Sequence, residues 1–333
     1  MNPETAKLES DQVPTYQMLA SGVLIIDKPA GLTSHDVVNR VRRILRTRAV
    51  GHVGTLDPMA TGVLPLVIGT LTRLAQFYTS AEKSYEGVIR FGFATDSYDR
   101  EGQPTSPPQT VTFSLDTLRE WAGRFRGVIE QIPPPFSAKK VAGVPAYKLA
   151  RKQKPFTLRE VQVEVKEFEI LDLEDQRARF RARVGSGTYL RSVAHDLGQQ
   201  AGCGAHLESL RRTTVGEFNL AQAHTLEELE GAARHGSIRD ICVPLRDILP
   251  ALPFVTANEE SLVRIRSGRS VNLAELSRAK QVKVFDGKRE LVAIATRVAG
   301  TLFHPKIVLA GEPPVRAAKP YEPIPGDGRQ REQ

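Results

Sequence analysis

The chain predicts an α+β fold with a second, β-rich module at its C-terminal end, and three observations carry that expectation. Strand-like alternation and helix-like spacing follow one another without the regular rhythm of a βαβ wind. A basic, proline-punctuated stretch interrupts the middle, and from about Pro253 onward the texture changes to short strands and turns.

The elements justify this in order. VLIIDKP at 23–29 is a short apolar run stopped by proline, a strand entering a turn. Thr33 and Asp36 stand three apart as a capping box, and Val37, Val38, Val41, Ile44 and Leu45 then fall on one face of a helix. VLPLVIG reads as a buried strand, followed by a short helical segment through Leu74, Ala75 and Phe77. YEGVIRFGF alternates as a strand, and TDSYDREG closes it with turn residues.

LDTLREWAGRFRG reads as a helix that the prolines at 133–135 break. The segment that follows, to about residue 160, is basic and poor in core residues, an excursion from the core. VQVEVKEFEI and RARFRARV are alternating strands joined by an acidic turn, and TYLRSVAHDLGQQAG is a helix with Tyr189, Val193 and Leu197 inward. In the C-terminal part, VKVFDGKRELVAIATRVAG is two strands across an Asp-Gly hairpin and FHPKIVL a third. The last residues are rich in proline and charge, the composition of a disordered tail.

Composition limits the function classes. The 333 residues are 41% hydrophobic, enough for one large domain and a smaller one. Two distant cysteines, Cys203 and Cys242, exclude a disulfide framework or a metal knuckle. The N-terminal stretch is polar and no apolar run is long enough to cross a bilayer, so a cytoplasmic protein without membrane attachment is expected.

The net charge of +8 favours polyanions. Five arginines lie between Arg40 and Arg48, and RARFRARV alternates arginine with apolar residues. A single charge run is most often a solvated face. Several runs flanking one site favour phosphate binding, so the 33–45 helix is expected to bury one face and offer the other to a phosphate backbone.

GHVGTLDPMATGVL at 51–64 holds a lone carboxylate, Asp57, among glycines and in front of Pro58. Glycines at 51, 54 and 62 permit close approach, and the proline biases Asp57 away from helix. An Asp-Pro pair in a glycine-rich turn is often only a turn. Here His52 and Thr61 share the loop and an arginine-rich helix adjoins it. The loop has neither a Walker ending nor G-x-G-x-x-G, and no metal-ligand spacing is near.

IIDKPAGLTSHDVVNRVRRIL, GHVGTLDPMATGVLPLVIG, KSYEGVIRFG and GTYLRSVAHDLG, in this order, resemble the successive motifs of the bacterial TruB family of tRNA pseudouridine synthases. The resemblance covers roughly residues 23–311. It implies a mixed, mostly antiparallel sheet with flanking helices, and a small PUA-like C-terminal domain. It also implies an N-terminal extension over 1–22, a catalytic domain over 23–250 with a thumb-like insertion at about 133–160, a PUA-like domain over 251–311, and a tail over 312–333.

The implied activity is isomerisation of the T-loop uridine, position 55, by detaching, turning and rejoining uracil through C5. Asp57 stands at the position of the essential aspartate, a nucleophile rather than one of a hydrolase's two acids. Arg191 matches the arginine that pairs with it, and Tyr85 the aromatic that stacks on the base and takes part in late proton removal. His52 resembles the residue that fills the space of the flipped base. Lys28, Tyr189 and Leu210 resemble supports of the pocket, with Leu210 against the ring. Arg40, Arg43, Lys139, Lys140, Lys148 and Arg151 are suited to phosphate contacts.

A monomer without cofactor, metal or obligatory protein partner is implied, acting on the T-arm and acceptor stem of tRNA. Two other classes stay open: a catalytic subunit of a guide-RNA particle, and an RNA-binding or folding chaperone with little catalysis. The thumb-like insertion and modest C-terminal module weigh against the first. The intact set of Asp57, Tyr85 and Arg191 weighs against the second.

Overall fold

The apolar run after Ser21 forms β1 (Gly22–Lys28), and its alternate side chains serve two different cores. The computed structural model describes residues 19, 21–287 and 290–309. Of the expected N-terminal extension only Leu19, Ser21 and Gly22 are among these, and the 312–333 tail lies outside them.

Thr33 caps α1 (Ser34–Ile44) with the full capping box to Asp36, which answers free N–H groups of the first turn. β2 (Val50–His52) and β3 (Thr61–Ile68) flank the Asp57 loop, and a 3-10 segment, Gly69–Tyr78, follows. β4 (Lys83–Phe91), α2 (Leu115–Gly123) and β5 (Gly127–Gln131) come next. The proline-punctuated excursion folds as a small hairpin, β6 (Lys140–Val141) and β7 (Val144–Pro145), with a short α3 (Ala146–Arg151).

β8 (Val161–Glu174) and β9 (Arg177–Val184) form a long hairpin, and α4 (Leu190–Gln200) leads to β10 (Ala205–Val215). Tyr189 is the residue that caps α4 and is half-buried, so it stands at the helix start rather than on its inward face. β11 (Phe218–Asn219), β12 (Ala223–His224) and α5 (Leu226–His235) complete the N-terminal part. The C-terminal half has β13 (Phe254–Thr256), α6 (Glu259–Arg266), β14 (Val271–Asn272), β15 (Gln281–Phe285), β16 (Leu291–Ala299) and β17 (Leu302–Val308).

The first sheet runs β12-β1-β3-β10-β4-β9-β8-β5 and is parallel only at β1–β12 and β3–β10. It is thus the mixed, mostly antiparallel sheet expected. One face packs helices α1, α2, α4 and α5 through residues such as Leu24, Val37, Leu118, Val193 and Leu229. On the other face Val23, Ile25, Val63 and Val67 join Leu71 and Leu74 of the 3-10 segment and Phe285, Ile294 and Ile307 of the second sheet. Strands β1 and β3 are buried on both sides, which explains why they read as continuous apolar runs.

The second sheet runs β13-β15-β16-β17-β14. β15 and β16 pair antiparallel, the hairpin with Asp286 and Gly287 at its turn that was expected, and there Asp286 N–H donates to the Glu290 carbonyl while the Asp286 carboxylate accepts from Glu290 N–H. Among the described residues no helix is long and apolar enough to cross a membrane.

Candidate active site

Asp57 sits in the β2–β3 loop, whose carbonyls are held almost one by one. Ser34, the first residue of α1, accepts from Leu56 N–H at 2.8 Å and donates to the Leu56 carbonyl at 3.1 Å. Lys28 Nζ and Gly31 N–H both donate to the Pro58 carbonyl, at 3.1 and 2.9 Å. Arg212 donates to the carbonyls of Gly54 at 3.0 Å, Thr55 at 3.2 Å and Val63 at 2.8 Å. Bonds at so many of its backbone groups hold the loop in one conformation around Asp57.

The glycines of the motif make room for Arg212. A Cβ on Gly62 would stand 2.2 Å from the Arg212 carbonyl oxygen, and one on Gly54 would meet Nη1 at 3.4 Å with φ at +77°. Gly51 has no such neighbour, since its Cβ would make only an ordinary contact with Val67 at 3.6 Å.

Arg191, 134 residues away in sequence, reaches Asp57 from α4. Its Nη2 donates to Oδ1 at 3.0 Å and its Nε lies 2.9 Å from Oδ2. The same guanidinium donates to the carbonyls of Ser97 and Phe136, each at 3.0 Å, and its Nη1 lies 3.4 Å from Asp99 Oδ2. The Arg191 side chain is 4% exposed and that of Asp57 33%, so the acid faces solvent while its partner is enclosed.

The other expected residues arrange around this pair. Lys28 is fully buried and also donates to the Pro29 carbonyl at 2.8 Å; burial pushes its ammonium down to about 8, against the opposing pull of Asp57. Tyr85 and Leu210 are each 8% exposed, on adjacent strands where Tyr85 pairs with Arg212 and Leu210 with Gly87. Burial raises the Tyr85 phenol, and the Arg212 cation beside it opposes that rise. Burial also raises the Tyr189 phenol, while Gln131 clamps its backbone by donating to its carbonyl at 3.1 Å and accepting from its N–H at 2.8 Å. The charge of Asp57 acts on Lys28, Tyr85 and Tyr189 alike. His52 ends β2; burial first, then the charge of Arg212, lowers its pKa and favours the neutral ring.

The cationic surface differs from the expected one. Arg40 is taken up by Glu230 at 3.0 Å and Glu227 at 3.4 Å, and Arg42 by Asn39 and the Val50 carbonyl, whereas Arg43 is exposed. The arginine row of β9 is not a bare phosphate stripe. Arg177 pairs with Glu208, Arg179 with Asp172, Arg181 with Glu86, and Arg183 with Glu82 and Glu167. Neighbouring strands place an acid beside each arginine, so the row is neutralised where it stands. Lys139, Lys140, Lys148 and Arg151 are exposed in the 133–160 excursion.

Arg212, Asp99, Ser34 and Gln131 were not singled out from the sequence. Arg212 carried a signal: in LESLRRT the period of two puts it on the same face as Leu210, a cation at a core position. Asp99 carried none, because TDSYDREG has the composition of any polar turn.

Residues 42–190 match the family model described as TruB family pseudouridylate synthase (N terminal domain), and residues 191–251 match that of the tRNA pseudouridylate synthase B C-terminal domain. The chain is 51% identical over 291 residues to tRNA pseudouridine synthase B of Solibacter usitatus (strain Ellin6076), covering 86% of this chain and 99% of that one. To tRNA pseudouridine synthase B of Aquifex aeolicus (strain VF5) it is 36% identical over 270 residues, 80% of this chain and 93% of that one. A chain of the crystal structure of a Cbf5-Nop10-Gar1 complex superimposes with a TM-score of 0.65 at 25% identity, covering 93% of both. With an enclosed arginine aligning a half-open aspartate and relatives spanned almost end to end, the chain belongs to the TruB family of pseudouridylate synthases, isomerases that modify RNA.

Proposed function

We propose that this protein converts uridine 55 in the T-loop of tRNA to pseudouridine, with Asp57 as the nucleophile. The observation that carries this is the forked contact of Arg191 on Asp57, in a chain 51% identical to a tRNA pseudouridine synthase B. In the reaction the bond from C1′ to N1 breaks, the uracil turns, a bond from C1′ to C5 forms, C5 loses its proton and N1 gains one. The formula is unchanged, so one carboxylate suffices where hydrolysis would need an acid and a base.

Within this reading Tyr85 stacks on the base and assists removal of the C5 proton, Leu210 contacts the ring, and Lys28 and Tyr189 support the pocket. His52, with its neutral ring favoured, fills the space the flipped base leaves. Extruding that base costs a few kcal/mol of stacking, which contacts in the pocket offset. Residues 23–250 form the catalytic domain. Lys139, Lys140, Lys148 and Arg151 of the 133–160 thumb clamp phosphates, with Arg43 and the partly engaged Arg40 on α1. Residues 251–311 act as a PUA-like grip on the acceptor stem, reading backbone and shape as RNA duplexes require. The enzyme works in the cytoplasm as a monomer.

The test is release of tritium from C5-labelled uridine in an unmodified tRNA transcript, by purified protein without added metal or cofactor. Wild type is expected to release label from one T-loop uridine, and Asp57→Ala to release none. The likeness to Cbf5 favours a second reading, a subunit that needs a guide RNA. Release without any guide overturns that second reading; tight binding without release overturns the first.

A further inference from the structure

Among the described residues Arg212 is the largest fully buried side chain, and no carboxylate forms an ion pair with it. An enclosed cation without an ion pair is costly, and an apolar residue would fill the same space more cheaply. Its retention calls for directed polar contacts that only a guanidinium fork can make. The fork reaches both halves of the active site. Three bonds go to the carbonyls of Gly54, Thr55 and Val63, which bracket the Asp57 loop, at 3.0, 3.2 and 2.8 Å. On the adjoining strand Tyr85 is the direct register partner of Arg212, which puts the two side chains next to one another on the same face of the sheet, the cation opposing the rise of the buried phenol. The motif glycines fit this arrangement, since a side chain at 62 would collide with the Arg212 backbone.

We propose that Arg212 is a positioning residue for the isomerisation, one that ties the Asp57 loop and the Tyr85 hydroxyl to a single rigid plane. The guanidinium sets the gap between nucleophile and stacking ring, the space a detached uracil must occupy while it turns. The inference rests on the proposed roles of Asp57 and Tyr85.

The experiment is a double-mutant cycle on single-turnover isomerisation of tRNA transcript at saturating enzyme, with Arg212→Lys, Tyr85→Phe and the double variant. RNA affinity and thermal unfolding are measured alongside. Lysine keeps the charge but cannot make the fork, so Arg212→Lys is expected to slow the saturated rate about ten- to hundredfold, the scale of a lost hydrogen bond to a charged group. Its RNA affinity should stay within about twofold of wild type. In the Tyr85→Phe background the same substitution should cost less than about threefold, because part of what it aligns is already gone.

Fully additive losses, or weaker binding with an unchanged saturated rate, would overturn the proposal. If Arg212→Lys does not fold, Arg212→Gln takes its place in the cycle. If neither folds, Tyr85→Phe decides through stability and rate together: an unchanged unfolding temperature or an unchanged rate overturns the coupling through the hydroxyl, and a lower unfolding temperature with a slower rate at unchanged affinity upholds it. Activity in Asp57→Ala equal to wild type would remove the proposed function itself, a different failure.

Discussion

Asp99 Oδ2 lies 3.4 Å from Nη1 of Arg191, while Asp57 occupies the Nε and Nη2 edge of the same guanidinium. The arginine is therefore held from behind by an enclosed acid, itself bonded to Ser97 Oγ at 2.6 Å and to Glu101 N–H at 3.0 Å. Asp99→Asn keeps the shape and removes the charge. It is expected to slow isomerisation about ten- to hundredfold while Asp57 stays in place, because the arginine loses a charge-assisted partner. Arg191→Met goes further: it strands a buried carboxylate and should lower stability by about 3–5 kcal/mol. Denaturant unfolding of the two variants, beside their single-turnover rates, separates these effects.

Lys28 predicts a pH dependence of stability. Burial brings its folded pKa to about 8, against about 10.5 in the unfolded chain. As pH rises through 8 the native protein releases this proton while the unfolded chain keeps it. Stability then gains from this group up to about 1.4 kcal/mol per pH unit until the unfolded lysine also titrates. Below pH 8 both states hold the proton and the full cost of the buried charge is carried. Lys28→Met should remove this gain, read as the difference in unfolding free energy between the two proteins from pH 7.5 to 10. Parallel curves over that range would refute the assignment.

Gly62→Ala tests the close approach of β3 and β10. The new methyl would meet the Arg212 carbonyl at 2.2 Å, on a residue whose φ is +99°, where side chains are strained. Both effects act in one direction, and a loss of roughly 2–4 kcal/mol is expected. Gly51→Ala, on the same motif, should cost about 1 kcal/mol or less, and comparable losses at both sites would contradict the packing described.

The exposed cations of the 133–160 segment predict a salt signature. Lys140→Ala should weaken tRNA binding to a similar degree for modified and unmodified transcripts. It should also reduce the slope of log affinity against log salt by about 1. Arg181→Ala, whose guanidinium already faces Glu86 at 3.3 Å, should leave the slope nearly unchanged.

These contrasts show which parts were legible in the chain. Strands β1 and β3 and helix α1 with its Thr33–Asp36 box were readable because local patterning carries them, and Asp57 with Arg191 through the resemblance of their motifs to the TruB family. The neutralising acids of β9 were not, since Glu82, Glu86 and Glu208 come from other strands and meet the arginines only after pairing. Asp99 escaped for the same reason: its role exists only once a polar turn is folded against α4. Arg212 lay between, with a pattern that placed a cation in the core but nothing to say what it would hold.

The shared core of the two sheets also sets the order in which this protein can be completed. Val23 and Ile25 of the first strand belong to the same apolar cluster as Ile307 and Leu309, near the end of the described chain. During synthesis the 3-10 segment can cover part of that face early, but the contacts from Ile307 and Leu309 arrive only after more than two hundred and eighty intervening residues. The helix-backed face can close as soon as α5 emerges; the opposite face cannot. This shared cluster is complete only once the last strand of the second sheet has emerged, the earliest strand sealed by a late one.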